Sequence, residues 1–175
     1  CEFSKAKRRA TGSSHKTSDI SSEYSLKRDH LFPGQRISMD HFKVSTPGRL
    51  YTSSGSSLPD EMYIGGCIFV DHCTGLTHVE HLTNFTTTET IAAKQRFEKY
   101  FYDLGVIVQS YQSDNGIFAS TNFIKEIERG LQHITFSGVG AHHQNGIAER
   151  AIGTILTKAR SILMHAALRW PEVAD

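Results

Sequence analysis

Residues 106–118 read VIVQSYQSDNGIF, and this stretch sets the order of everything around it. Its first nine residues have the composition of a strand that delivers Asp114 at its carboxyl end, and Asn115-Gly116 is a turn pair that halts it. A helix is predicted on each side. Upstream, Thr86 and Glu89 have capping-box spacing, and Ala93, Phe97, Tyr100, Phe101 and Leu104 follow at helical intervals up to Gly105. Downstream, Phe123, Ile127 and Leu131 form an apolar stripe over about 120–130, with Gly130 near its end. A strand bracketed by helices implies crossover connections and parallel pairing.

The remaining segments complete this arrangement. QRISMDHFKV, from Gln35, places Ile37, Met39 and His41 on one face and Arg36, Ser38 and Asp40 on the other. Residues 45–61, rich in Pro, Gly and Ser, read as a loop or hairpin tip. MYIGGCIFVD and LTHVEHL, separated by HCTG, read as an antiparallel pair, with HITFS as a fifth strand. The last helix begins near Asn145, a good N-cap. It carries Ile147, Ala151, Ile155, Ile162 and Ala166, and is expected to be cut short by the end of the chain. The order strand, strand, strand, helix, strand, helix, strand, helix predicts an α/β fold, a five-stranded mixed sheet with helices packed on it.

The chain has 175 residues, 38% hydrophobic and 21% charged, enough for one substantial core. A net charge of +1 excludes a uniformly basic protein, so contact with nucleic acid would have to be local. The clearest basic cluster is in residues 1–32, a Ser-rich stretch. Its first ten residues set Lys5, Lys7, Arg8 and Arg9 against Glu2, a balance of 4 − 1 = +3. This segment reads as a solvated linker or a phosphate-binding arm, and 33–175 as the globular domain. Cys1, Cys67 and Cys73 form no disulfide framework, and neither a membrane span nor a signal peptide is evident. The expectation is an intracellular protein that is not secreted, in the nucleus or a cytoplasmic particle, with no membrane partner. Asn84-Phe85-Thr86 then carries no weight as a glycosylation acceptor.

Three carboxylates stand where such a sheet can gather them: Asp40 in the first strand, Asp114 at the end of the fourth, and Glu149 one turn into the last helix. Buried together without cations they would repel one another. A divalent metal removes that penalty, and oxygen-only ligands favour Mg²⁺ or Mn²⁺. Two such ions about 3.5–4 Å apart can activate an attacking oxygen and stabilise a leaving one. The spacing alone does not carry the assignment, because the chain has eighteen acidic residues. Gly116 beside a strand-end acid and Asn145 before a helical glutamate strengthen it.

SDNGIF at 113–118 and QNGIAER at 144–150, with their acids 149 − 114 = 35 positions apart, resemble the catalytic core of retroviral and retrotransposon integrases, most of all the copia-type branch. ISMDHF resembles that family's first catalytic strand, IGGCIFVDHCTGLTHVEHL its second and third, and WPEVAD the start of its next helical segment. The resemblance implies a ribonuclease H-like fold in a retrotransposon polyprotein. It places catalytic and metal-binding roles on Asp40, Asp114 and Glu149, with two Mg²⁺ or Mn²⁺ ions in the active complex. Asp71 is the rival for the first acid, but its position resembles that of a noncatalytic family aspartate. The implied activity is joining of element DNA 3′ ends to target DNA, with double-stranded DNA as partner and a homo-oligomer as the working unit. Asn115, Gln144, Asn145, Arg150 and Lys158 are the expected DNA contacts. CEFSKAKRR resembles the stretch leaving the family's N-terminal zinc module, which would make Cys1 a stranded ligand.

The chain departs from the family pattern at GVGAHHQNG, which replaces a Pro-containing approach, and at Gly153, where related sequences often carry a polar or basic side chain. His142 and His143 read as surface or DNA-facing residues rather than zinc ligands. The competing readings are a ribonuclease H-like nuclease or DDE transposase on the same scaffold, and an inactive or domesticated DNA-binding fragment.

Overall fold

In the computed structural model, residues 30–50, 62–138 and 145–171 are described. Residues 1–29 of the expected linker, the tip of the 45–61 segment, Gln144 and the His142-His143 pair lie outside them. The elements are β1 (Ile37–Arg49), β2 (Met62–Asp71), β3 (Thr77–Leu82), α1 (Thr87–Asp103), β4 (Ser110–Ser113), α2 (Thr121–Arg129), β5 (His133–Phe136) and α3 (Gly146–Arg169). They form a five-stranded sheet in the order β3-β2-β1-β4-β5. β1, β2 and β3 pair antiparallel, whereas β1 with β4 and β4 with β5 are parallel, so the sheet is mixed as predicted. The chain divides into one unit, Arg28–Ile152, and a second that contains α3 from Gly153 onward. Among the described residues no helix is long and apolar enough to cross a membrane.

One face of the sheet carries the core. Ile37 and Met39 of β1, Cys67 and Phe69 of β2 and Tyr111 of β4 are buried with Ala93, Phe97 and Phe101 of α1. The rings of Phe69 and Phe97 stack 4.3 Å apart. Burial of this apolar face provides the main stabilisation of the α1–sheet contact. α1 starts where its capping residues predict: the Thr86 hydroxyl accepts the Glu89 N–H at 3.3 Å. The box is only half closed, because the Thr86 N–H goes to Asn84 Oδ1 and the Glu89 carboxylate reaches Arg96 at 3.6 Å.

Four expectations are corrected. The 45–61 segment does not begin as a loop, since β1 continues to Arg49. Its register breaks between Lys43 and Gly48, and Pro47, which has no N–H to offer a ladder, sits in that irregular stretch. Val106–Gln109 is not strand, because β1 starts only at Ile37. Here Val106 N–H bonds back to Phe101 O, and Gln109 N–H to Gly34 O. Leu131 does not extend the α2 stripe: the helix ends at Arg129, and Leu131 adopts φ 53° and is 92% exposed. In α3 the side chain buried in the first turn is Ala148, while Ile162 of the predicted stripe is exposed.

Candidate functional site

The β1–β4 register brings two of the three acids together. Ile37 pairs with Tyr111 and Ser38 with Gln112. The same offset carried two residues further along both chains sets Asp40 level with Asp114. Alternation puts Ser38 and Asp40 on the face away from α1. Gln112 belongs to that face too, and its Oε1 accepts from Arg36 at 2.8 Å, bridging the two strands.

The ladder then stops, and the Met39 carbonyl, one step past the Ser38–Gln112 pair, is taken by another group. Asn145 Nδ2 donates to Met39 O at 3.3 Å, and Asn145 is only 3% exposed. This ties the entry of α3 to the residue preceding Asp40, and Glu149 follows one turn later. Asn145 was expected to contact DNA; here its side chain is buried and its Nδ2 is given to a strand carbonyl.

The electrostatics follow from this convergence. The Asp40 carboxyl is pushed up to about 6, chiefly by burial; the His41 N–H that bonds Oδ1 at 2.8 Å opposes the rise, and the charges of Asp114 and Glu149 add to it. Asp114 and Glu149 therefore each lie within electrostatic reach of Asp40. Asp114 and Glu149 are themselves exposed. The ion pairs found among the described residues engage Glu80, Glu89, Glu98, Asp103 and Glu126, and none of these three acids. Nor do any three His, Cys, Asp or Glu side chains among the described residues stand at joint ligating distance. Asp114 Oδ1 instead faces the Gly116 N–H at 3.4 Å.

The loop carrying Asp114 is held at two further points. Asn115 Nδ2 donates to Ser137 O at 3.2 Å, fastening the turn to the end of β5. Phe118, in a 3-10 turn over Ile117–Ala119, is buried, and its ring stacks on His41 at 4.4 Å. His41 also meets Thr90 Oγ1 at 3.2 Å; burial lowers its imidazole to about 4, with the Asp114 charge opposing, so it is neutral near pH 7. Sequence reading missed Phe118, although an apolar residue directly after an Asn-Gly turn signals such an anchor.

Asp71 is occupied elsewhere. Its side chain is buried and accepts from Gly34 N at 3.2 Å, Thr74 N at 2.8 Å and Thr74 Oγ1 at 2.7 Å, bracketing the β2–β3 turn. A groove lined by Tyr63, Glu80, His81, Glu89 and Arg96 lies apart from the acids, and its arginine is neutralised by Glu80 and Glu89. Arg150 donates Nε to Gly146 O at 2.9 Å on the exposed side of α3, and Lys158 is exposed further along the helix.

Solved structures with this architecture place the fold. A chain of the simian T-cell lymphotropic virus intasome in complex with PP2A regulatory subunit B56 gamma superposes with TM-score 0.58 at 19% identity, over 82% of this chain. The dimeric form of the HTLV-2 integrase catalytic core domain in complex with magnesium matches with TM-score 0.53 at 22% identity, over 82% of this chain and 79% of that one. The fold is that of an integrase catalytic core. The trimeric form of the same HTLV-2 core gives TM-score 0.52, also at 22% identity, over 82% of this chain and 78% of that one. This chain spans 44% of the length of the simian virus chain. No protein-family model matches the sequence, and a search of curated proteins gives no match.

Proposed function

We propose that this integrase-like core is the catalytic domain of a copia-type retrotransposon polyprotein, joining element DNA 3′ ends to target DNA. The observation that supports the proposal is that the charges of Asp114 and Glu149 both act on Asp40 beyond the end of the β1–β4 pairing, on a fold shared with integrase catalytic cores. The copia-type assignment rests on SDNGIF and QNGIAER.

In chemical type the donor set suits a divalent metal, and the three side chains would have to draw together to ligate one. All three groups are carboxylates, one is half-buried with its ionisation resisted, and none has a Lys or Arg counter-charge among the ion pairs found. Asp40, Asp114 and Glu149 would hold Mg²⁺ or Mn²⁺, the former present in the HTLV-2 cores. Bound ions supply positive charge at the attacking and leaving oxygens of a phosphodiester exchange. The 3′-hydroxyl oxygen forms the new bond to phosphorus as the target's bridging P–O bond breaks, and the hydroxyl proton leaves to solvent. No bond to the protein forms.

In this reading Asp40 is the fixed member, held by the sheet and by the His41 N–H, and Asp114 and Glu149 complete the cluster from exposed positions. Asn115, Arg150 and Lys158 are the DNA contacts proposed among the described residues, with Gln144 beside them in sequence. The working form is a homo-oligomer on DNA ends, in the nucleus or an element particle.

The test is Mg²⁺- or Mn²⁺-dependent nicking and joining of a labelled duplex by the chain and by its Asp114→Asn variant. Joined products lost in the variant support strand transfer. Nicking without joining moves the assignment to a ribonuclease H-like nuclease. A folded sample that shows no activity and binds no Mn²⁺ overturns the proposal.

A further inference from the structure

We propose that Asn145 is a positioning residue that sets Glu149 against Asp40, and that metal affinity depends on its side-chain amide. The inference rests on the proposed metal site. Three observations meet at this residue. Its Nδ2 donates to Met39 O at 3.3 Å, next to Asp40 in sequence. That carbonyl points to the β4 side of β1: Arg36 O accepts from His72 N–H on the β2 side, so every second residue, Met39 included, faces the other way. The β1–β4 pairing ends at Ser38–Gln112, so Asn145 substitutes for strand β4 where the Asp114 segment leaves β1.

Asn145 is therefore the point where the routes to all three acids touch. Met39 leads to Asp40, the vacated ladder position leads to Asp114, and one helical turn leads to Glu149. The bond is buried, so solvent does not compete for it, and Ala148 at 0% exposure packs the same turn. The first turn of α3 cannot shift along β1 without breaking it.

A second feature makes the inference separable from simple packing. Among the described residues, Asn145 Oδ1 is buried with no hydrogen-bond partner. A side chain kept only to fill space would be better replaced by an apolar one of the same size, because an unsatisfied buried acceptor is costly. Retaining an amide with one end unused implies that the other end matters.

Asn145→Leu keeps the volume, removes the donor and removes the orphaned acceptor. The expected result is an unfolding midpoint equal to or above the parent's, with Mn²⁺ affinity by calorimetry weakened by about 10–100-fold, as for other residues that orient ligands from behind. Unchanged Mn²⁺ affinity overturns the proposal. Should Asn145→Leu fail to fold, Asn145→Ala is measured in the same way. Hydrogen exchange of amides 146–152 provides a readout without metal: faster exchange there, with the sheet unchanged, is expected in the variant, and unchanged exchange overturns the proposal. If the parent binds no Mn²⁺ and Asp114→Asn does not differ from it, the metal-site reading fails, and hydrogen exchange alone decides the role of Asn145.

Discussion

Lys94 sets its ammonium 2.9 Å from one carboxylate oxygen of Glu98 and 3.0 Å from the other, with only 2% of its side chain exposed. The carboxylate also accepts from Tyr111 OH at 2.7 Å and from Gln132 Nε2, so one charged pair in α1 gathers β4 and the approach to β5. Glu98→Ala leaves the buried ammonium without a counter-charge and should cost about 3–5 kcal/mol. Lys94→Met removes the buried charge itself and should cost clearly less. Urea unfolding of both variants checks the order. Equal losses would mean that neither the stranded ammonium nor the hydrogen bonds from Tyr111 and Gln132 add anything beyond the ion pair itself.

Asp71 and Asp40 are separated by what their oxygens already do. Asp71 accepts three hydrogen bonds at the β2–β3 turn, so Asp71→Ala strands the Gly34 and Thr74 donors and should destabilise by about 2–4 kcal/mol. Its Mn²⁺ affinity, measured on folded protein, should match the parent's. A variant with normal stability and lost Mn²⁺ binding would reverse the roles given to the two aspartates.

Much of this was legible in the sequence because local periods matched global burial. β2 read correctly from its apolar run, β3 from alternation and α1 from 3.6-residue spacing, although Tyr100 and Leu104 of the α1 stripe are exposed. The strand order then made Asp40 and Asp114 neighbours. The burial of Asn145 was not legible, because a polar residue before a helix reads as a solvent-facing cap. Only the end of the β1–β4 ladder reveals the carbonyl it serves. Leu131 looked like one more stripe position because periodicity does not register where a helix stops. Lys94 was invisible as a core residue, since its burial depends on the Glu98 carboxylate being brought alongside.

Gly66 carries a packing constraint that reaches the site through β1. A Cβ there would lie 2.6 Å from Glu80 O and 2.8 Å from the Phe42 ring, so neither neighbouring strand has room for it. Gly66 pairs with Phe42 in the same ladder that pairs Asp40 with Ile68. Gly66→Ala should therefore cost about 1–3 kcal/mol by overpacking. Thermal unfolding measures it, and a loss of under 0.5 kcal/mol would show that β1 and β3 can separate without penalty.

The raised Asp40 carboxyl predicts a specific pH dependence in metal-free protein. Its ordinary value is 3.8 and its folded value about 6, so folding favours the neutral acid. That contribution is complete below pH 4 and is lost as pH rises through 6. Partial exposure screens the effect, leaving a loss of about 1–2 kcal/mol. Glu80 moves the other way: burial would raise it, but hydrogen bonds from His78 and Arg96 outweigh that and hold it low, so its contribution is lost as pH falls. The informative quantity is thus the difference between parent and Asp40→Asn, measured by urea unfolding at pH 4 to 8 in EDTA. The variant should gain on the parent between pH 4 and 7, and then level off. Excess Mn²⁺ at pH 7.5 should stabilise the parent by mass action and the variant little. Parallel pH curves for the two proteins would mean that Asp40 is ionised at no cost, removing the electrostatic argument for a cation among the three acids.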